Sequence, residues 1–312
     1  MLTFIVGCTA SGKGALGREL ASRAGGEIIS VDSMKVYRRM DVGTAKPSLE
    51  VRTKFPHHLI DVVEPWDYFS VAEFVKRAEE AIDDIHRRGR PVFLVGGTPL
   101  YIKSLTEGLF EGPGADPVLR ADLHRLAEKE GHGALHDRLN RVDPVAAARI
   151  HPNDLRRVVR ALEVIELTGR PISAMQEQWD RKPPRFPSLF IGLRRDRAEL
   201  GSRINERIRR MLEAGLVDEV KGLLAEPNPM STQARQALGY AEMIDHLEGR
   251  ASLAEAVEMI KINTRRLAKA QRTWFRRFTS THWIDVTGDA DVPRIADDCL
   301  ARRNGEWLPS PN

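Results

Sequence analysis

Leu2-Thr-Phe-Ile-Val-Gly7-Cys-Thr-Ala-Ser-Gly12-Lys13-Gly14-Ala-Leu16 opens the chain with an apolar run, a glycine-flanked loop and the start of an amphipathic segment. Leu2 to Val6 reads as a strand, and Lys13 to Arg23 as a helix with Leu16 and Leu20 on one face. A Gly-rich loop ending in Gly-Lys between a strand and a helix is the setting a P-loop requires. The glycines let the backbone curl so that successive N–H groups face an anion, and the helix N-terminus and Lys13 add positive charge. Gly7, Cys8, Thr9, Ala10, Ser11, Gly12, Lys13 and Gly14 are therefore the candidate phosphate cradle. The competing reading is a Gly-rich turn that holds nothing. One position departs from the pattern: the Ser or Thr whose hydroxyl ligates Mg²⁺ is Gly14 here. Anion binding is expected to survive, with Mg²⁺ held loosely and water, Thr9 or Ser11 filling the vacant position.

Outward from the loop, strand and helix signals alternate. Glu27 to Val31 reads as a second strand and Pro91 to Val95 as a third. Between them a helix runs from Ser70 to His86, with Val71, Phe74, Val75, Ala78 and Ile82 at helical spacing and Ser70 as N-cap, Glu73 three residues on. Such alternation predicts an α/β fold built on a parallel sheet. The third strand ends in Gly96-Gly97-Thr98, not in the acid that a P-loop ATPase or kinase usually offers there.

The texture changes near Gly112-Pro113-Gly114. From there only helices suggest themselves, over Asp116–Glu130, Gly133–Arg141, Pro144–Ile150, Asn153–Thr168 and Pro171–Trp179, closed by Pro183, Pro184 and Pro187. Strand character returns at Ser188 to Leu193, followed by helices over Arg197–Ala214, Val217–Leu224 and Leu253–Phe278 and a strand at His282–Val286. The expected organisation is a P-loop parallel-sheet core, 1–115 and 183–312, carrying an all-helical insertion domain, 116–182.

Composition excludes little but is consistent with this. At 312 residues, 42% hydrophobic and 29% charged, the chain has ample material for a core and no apolar run long enough for a bilayer. Cys8 and Cys299 make no disulfide framework, no Cys/His cluster has zinc spacing, and no signal-like N-terminus is present, so a cytoplasmic location and no membrane are expected. A net charge of +4 is uninformative, but its distribution is not. Arg156, Arg157 and Arg160 lie close together, and Lys261 to Arg277 holds seven basic residues and no acid. On that long helix Lys261, Arg265 and Lys269 share one face and Arg272 and Arg276 the next, with Leu267, Ala270, Trp274 and Phe278 expected as the buried stripe. A charge run is usually a solvated face. One without compensating acids leans towards a phosphate backbone.

Asp32 lies just past the second strand, where ligands bind in open parallel sheets, and should share a cleft with Lys13. It reads either as a carboxylate for metal or proton chemistry or as a turn cap. The set of motifs decides between functions. The P-loop, Ile29-Ser-Val-Asp-Ser33 with Tyr37, and Asp41-Val-Gly-Thr-Ala-Lys-Pro47 occur in order with Pro56-His-His-Leu-Ile-Asp61, Val95-Gly-Gly-Thr98 and Leu100-Tyr101. Ala115-Asp-Pro117 with Arg120, Val142 to Asp154, and Arg156-Arg157 with Arg160 follow, then Leu238-Gly-Tyr240 and Thr264-Arg265 to Gln271 and Trp274. Together they resemble the tRNA dimethylallyltransferases (isopentenyl-tRNA transferases) over nearly the whole chain.

The resemblance implies transfer of a dimethylallyl group from dimethylallyl diphosphate to N6 of the adenosine immediately 3′ of the anticodon (tRNA position 37), with release of diphosphate. It implies Mg²⁺ as cofactor, with its placement open because of Gly14. Asp32 would be the general base, Thr98 would touch the flipped-out base and Arg207 would reach the diphosphate. Arg203, Arg207 and Arg210 would otherwise read as a solvated helix face. Contacts to the tRNA anticodon stem-loop are implied for Ser33, Met34, Lys35, Thr98, Tyr101, Arg120, Gly239 and Tyr240, and, through the basic tracts, for Arg156, Arg157, Arg160, Arg265, Lys269 and Arg272. The family usually has proline where Cys8 stands and glutamine where Lys35 stands. No zinc-finger extension follows the core, which points to a bacterial-type monomer. The rival readings are a small-molecule kinase or ATPase, and a non-catalytic RNA-binding protein descended from the enzyme.

Overall fold

The computed structural model describes residues 1–109, 112–180, 184–288 and 290–303. Its centre is one six-stranded sheet made of β1 (Leu2–Gly7), β2 (Glu27–Val31), β3 (His57–His58), β4 (Val92–Gly96), β5 (Ser188–Arg194) and β6 (His282–Asp285). The spatial order is β3-β2-β4-β1-β5-β6, and every pairing is parallel. β1 and β2 are buried along their whole length, which is why they read as continuous apolar runs rather than alternating ones. The α/β class and the parallel sheet expected from sequence are observed.

The order matters for function. β4 lies between β1 and β2, with Gly96 in register with both Val6 and Val31. The loops after β1, β2 and β4 thus leave the same edge of the sheet side by side. β5 follows on the other flank of β1, so that the residues after Arg194 emerge next to the P-loop.

Three local expectations need correction. β3 was not anticipated, because two residues cannot show a period; it pairs Ile28 and Ile29 with His57 and His58, and the expected third strand is the fourth. The helices Leu49–Lys54, Thr232–Arg235, Tyr240–Leu247 and Val292–Arg303 also carry no strong sequence signal. On the long helix Leu253–Phe275 the buried face is Ala256, Ile260, Thr264, Ala268, Gln271 and Phe275, not the expected stripe. Leu267 is 42% exposed, because the inward positions include Thr264 and Gln271, whose polar groups find partners and so disguise the core face.

Glu27 opens β2 with a carboxylate that is 1% exposed. It accepts hydrogen bonds from His58 Nε2 at 2.7 Å, Arg90 Nη1 at 2.9 Å and Arg88 Nη2 at 3.0 Å. Burial alone would raise its pKa, but the bonds from Arg88 and His58 outweigh burial and hold it at about 2 instead of 4.5. A depressed carboxylate contributes stability above its unfolded-state pKa and loses it as pH falls through the folded value. Acid titration of the wild type should therefore remove up to about 3 kcal/mol between pH 4.5 and pH 2 that Glu27→Gln does not show, less what solvent around Arg88 and Arg90 screens. Parallel acid-unfolding curves for the two proteins would contradict this.

The chain separates into two compact units, Met1–Leu105 with Phe186–Asn312, and Thr106–Arg185. The second holds the helices Pro117–Glu130, His132–Val142, Pro144–Arg149, Leu155–Thr168 and Ile172–Asp180. Asp116 and Asp154 cap two of them, accepting from Val118 N and Arg157 N. Leu123, Leu135, Leu139, Val158 and Leu162 form its core. The expected boundary at 182–183 lies outside the described residues. Among the described residues no helix is long and apolar enough to cross a membrane.

Candidate active site

The P-loop takes its shape from residues that stand in the left-handed region, Ala10 at φ 61° and Gly12 at φ 100°. Gly7 admits no side chain, since a Cβ there would lie 2.8 Å from the Leu193 carbonyl oxygen. Three cations take the loop's carbonyls. Arg195 Nε donates to Ser11 O at 3.0 Å, Arg203 Nε to Ala10 O at 3.1 Å and Lys13 Nζ to Cys8 O at 3.0 Å. The N–H groups of Ala10, Gly12, Lys13 and Gly14 have no protein acceptor among the described residues. This arrangement is a nest of free donors at a helix N-terminus, suited to an anion.

Not every expected loop residue is free to bind. The Thr9 amide donates to Gln271 Oε1 at 2.8 Å, the Cys8 thiol to Ala268 O at 3.3 Å, and Ser11 is buried. Gln271 Nε2 also donates to Gly97 O at 2.7 Å, so one side chain ties the loop after β1 to the loop after β4. Gln271, Arg195 and Arg203 hold the loop, and sequence reasoning did not place them there. Two signals were available: the spacing of Arg203 and Arg207, which places both on one helix face, and the presence of Gln271 in the motif set.

Asp32 stands beside this nest. Its Oδ1 accepts from Met34 N at 2.9 Å and Lys35 N at 3.2 Å, so the turn-cap reading is correct for one oxygen. Oδ2 has no protein partner among the described residues. Arg207 donates from Nη2 to Thr44 O at 3.4 Å and is half-buried, not a solvated-face residue. Lys13 sits close to Lys35 and Arg207; burial first, then those two charges, pull its ammonium down to about 8 against the pull of Asp32. Burial likewise lowers the pKa of Lys35 and of Arg207, and Asp32 opposes both. The site therefore gathers Lys13, Lys35 and Arg207 around one carboxylate.

Of the remaining expected site residues, Ser33, Met34 and Thr98 are half-buried at this edge, and the Thr98 carbonyl starts the helix Pro99–Glu107 by accepting from Tyr101 N at 3.1 Å. Arg272 lies near Cys8, where its charge lowers the thiol pKa against a larger effect of burial. Several residues expected at the RNA also serve the fold. Tyr101 is buried and stacks on Phe74 at 4.2 Å. Tyr240 is 0% exposed and donates to Glu219 Oε1 at 2.6 Å. The same Glu219 carboxylate accepts from the amides of Asp41, Val42 and Gly43, pinning the Asp41–Pro47 loop. The Gly239 amide donates to Glu242 at 2.8 Å. In the helical unit, Arg120 and Arg160 both bind the fully buried Glu163, Arg120 through Nε at 2.8 Å and Nη2 at 2.9 Å. Arg156, Arg157 and Lys269 remain exposed, as does Arg265, which donates to Asn205 at 2.7 Å.

The residues at the loop do not fit a protein-held Mg²⁺. Gly14 brings no hydroxyl, the Ser11 hydroxyl is buried without a partner, and no cluster of three or more His, Cys, Asp or Glu converges among the described residues. What lies at Gly14 is Arg18, whose Nη1 would be 3.5 Å from a Cβ at that position.

The chain is similar to known proteins over almost its whole length. Residues 35–278 match the model of the IPP transferase family. A tRNA dimethylallyltransferase of Geobacter metallireducens is 51% identical over 290 residues, covering 93% of this chain and 94% of that protein. The full-length tRNA isopentenylpyrophosphate transferase of Bacillus halodurans superposes with a TM-score of 0.71 at 42% identity, covering 98% and 97% of the two chains. A eukaryotic dimethylallyltransferase, solved acting on tRNA, superposes at 0.82 with 27% identity, over 99% of this chain and 81% of that one. By sequence and by fold, the chain belongs to the IPP transferase family, the tRNA dimethylallyltransferases.

Proposed function

We propose that this enzyme moves a dimethylallyl group from dimethylallyl diphosphate to N6 of the adenosine immediately 3′ of the anticodon. The observation that carries the reading is the adjacency of an anion nest with four free amides, Lys13 and Arg207 to a carboxylate with one uncommitted oxygen. As the allylic C–O bond breaks, negative charge grows on the leaving diphosphate, and the fixed amides and cations stabilise it there. The N6 lone pair forms the new C–N bond. The amine becomes acidic as it does so, and Asp32 Oδ2 takes its proton, which needs no raised carboxylate pKa. Thr98, at the head of its helix, is suited to touch the extruded base; an adenosine in a single-stranded loop is cheap to unstack. The family relationship supports tRNA and the prenyl diphosphate as substrates. An ATP-hydrolysing reading is disfavoured by the glycines at the end of β4. Incubation with labelled dimethylallyl diphosphate and unmodified tRNA, and separately with ATP, tests it: label in the tRNA is expected, and ATP turnover without it would overturn the reading.

For RNA affinity, the reading assigns the exposed Arg156 and Arg157 of the helical unit, with Arg265 and Lys269, to the phosphate backbone, and removes Arg120 and Arg160 from that role. Arg156→Ala and Arg157→Ala should each weaken tRNA binding and reduce its log–log salt slope by about 1 per lost phosphate contact. A salt-insensitive affinity would make these arginines a solvated face.

A further inference from the structure

We propose that Arg18, with Lys35 nearby, supplies the positive charge that a P-loop ordinarily takes from Mg²⁺, so that this enzyme holds the diphosphate of its donor without a protein-bound metal. The inference rests on reading the loop as a diphosphate cradle. Gly14 and Arg18 are one turn apart on the helix Lys13–Ala24 and share a face. In a P-loop, the side chain at the Gly14 position is the one that reaches the metal. Here that side chain is missing, and the Arg18 Nη1 lies 3.5 Å from where its Cβ would be. A guanidinium thus stands next to the place of the metal's ligand, and a divalent cation there would be repelled by it.

The surrounding groups point the same way. Arg18 and Lys35 are half-buried, and neither side chain has a hydrogen bond or ion pair among the described residues. That is unusual in a protein where Arg23, Arg39, Arg88 and Arg195 all pair with carboxylates. Half-buried cations without an acid form a site that favours an anion. The groups within electrostatic reach of Lys35 include Lys13, Arg18, Arg207, Lys46 and His57, with Asp32 as the opposing carboxylate. Burial lowers the pKa of both Arg18 and Lys35, as expected of charges waiting for a counter-ion. Gly14 and Arg18 then make one physical unit: the loss of the hydroxyl opens the space, and the guanidinium fills it with fixed charge.

Calorimetric titration with inorganic pyrophosphate, in EDTA and in millimolar Mg²⁺, tests this directly. The wild type should bind with a Kd that differs by less than about threefold between the two buffers. Arg18→Met, which keeps the apolar stem, should bind about tenfold more weakly in EDTA and regain affinity in Mg²⁺, while Arg18→Lys keeps most of the wild-type affinity. Circular dichroism melts establish that the variants fold. A wild type that weakens about tenfold or more in EDTA, or an Arg18→Met protein indistinguishable from it there, overturns the proposal and leaves the functional reading intact. A folded wild type that binds no pyrophosphate in either buffer overturns both.

Discussion

Asp32→Asn is expected to leave pyrophosphate affinity unchanged and to slow prenyl transfer to a tRNA stem-loop by about 10²–10⁴-fold, the usual worth of a positioned general base. The substitution is unusually clean at this position. Asn retains an oxygen that can accept from Met34 N and Lys35 N, so the turn that follows β2 keeps its two hydrogen bonds. Only the second oxygen changes, from a proton acceptor to an amide donor. Lys13, Lys35 and Arg207 lose one opposing charge, which if anything favours the anion. Single-turnover rates with saturating substrates isolate the chemical step. Near-wild-type turnover would remove Asp32 from the mechanism and leave it as a turn cap only.

Gly96→Ala should both destabilise the fold, by about 3 kcal/mol or more, and abolish most activity. The residue is at the end of β4, in the space between β1 and β2, and a Cβ there would come within 2.0 Å of the Val31 carbonyl oxygen. That neighbour is backbone, so no side-chain rotation relieves the clash and the strand itself must move. Val31 is the residue before Asp32, and the displacement is therefore delivered to the proposed base. The adjacent Gly97 is also confined, though by a side chain, with Gln271 Nε2 2.5 Å from its would-be Cβ. Gly222→Ala, on a helix with nothing within 4 Å, is the control and should be neutral or slightly stabilising. An unchanged melting temperature for Gly96→Ala would mean that the strands accommodate a methyl group.

Much of this was legible in the chain. The P-loop, the strand–helix alternation and the helical unit follow from local signals: continuous apolar runs, helical spacing, and glycines and prolines in fixed positions. Ser70 caps the helix Val71–Arg87 as its sequence setting predicts, accepting from Glu73 N at 3.1 Å. What the chain does not display is which partner each polar group takes once folded. Tyr240 donates to Glu219 from 21 positions away and Arg120 reaches Glu163 across 43, while Arg160 binds the same carboxylate from the next turn of its own helix. A charge read along the sequence has no address for the acid that neutralises it.

The sequence by itself determined the parallel α/β class, the phosphate loop and the position of Asp32 after β2, because each depends on residues adjacent in the chain. Only the tertiary structure decided what those residues face. Gln271 reaches back across 262 positions to hold the Thr9 amide, and Arg195 and Arg203 bind the loop's carbonyls from beyond β5. The same is true of Arg18, which reads as an ordinary surface arginine until Gly14 leaves it the space that a metal ligand would fill. Hydrophobic periodicity misses a buried face that carries polar residues, as Thr264 and Gln271 do on the long helix; the pairing of polar groups depends on packing in three dimensions, and it is that pairing which separates a free cation from a structural one.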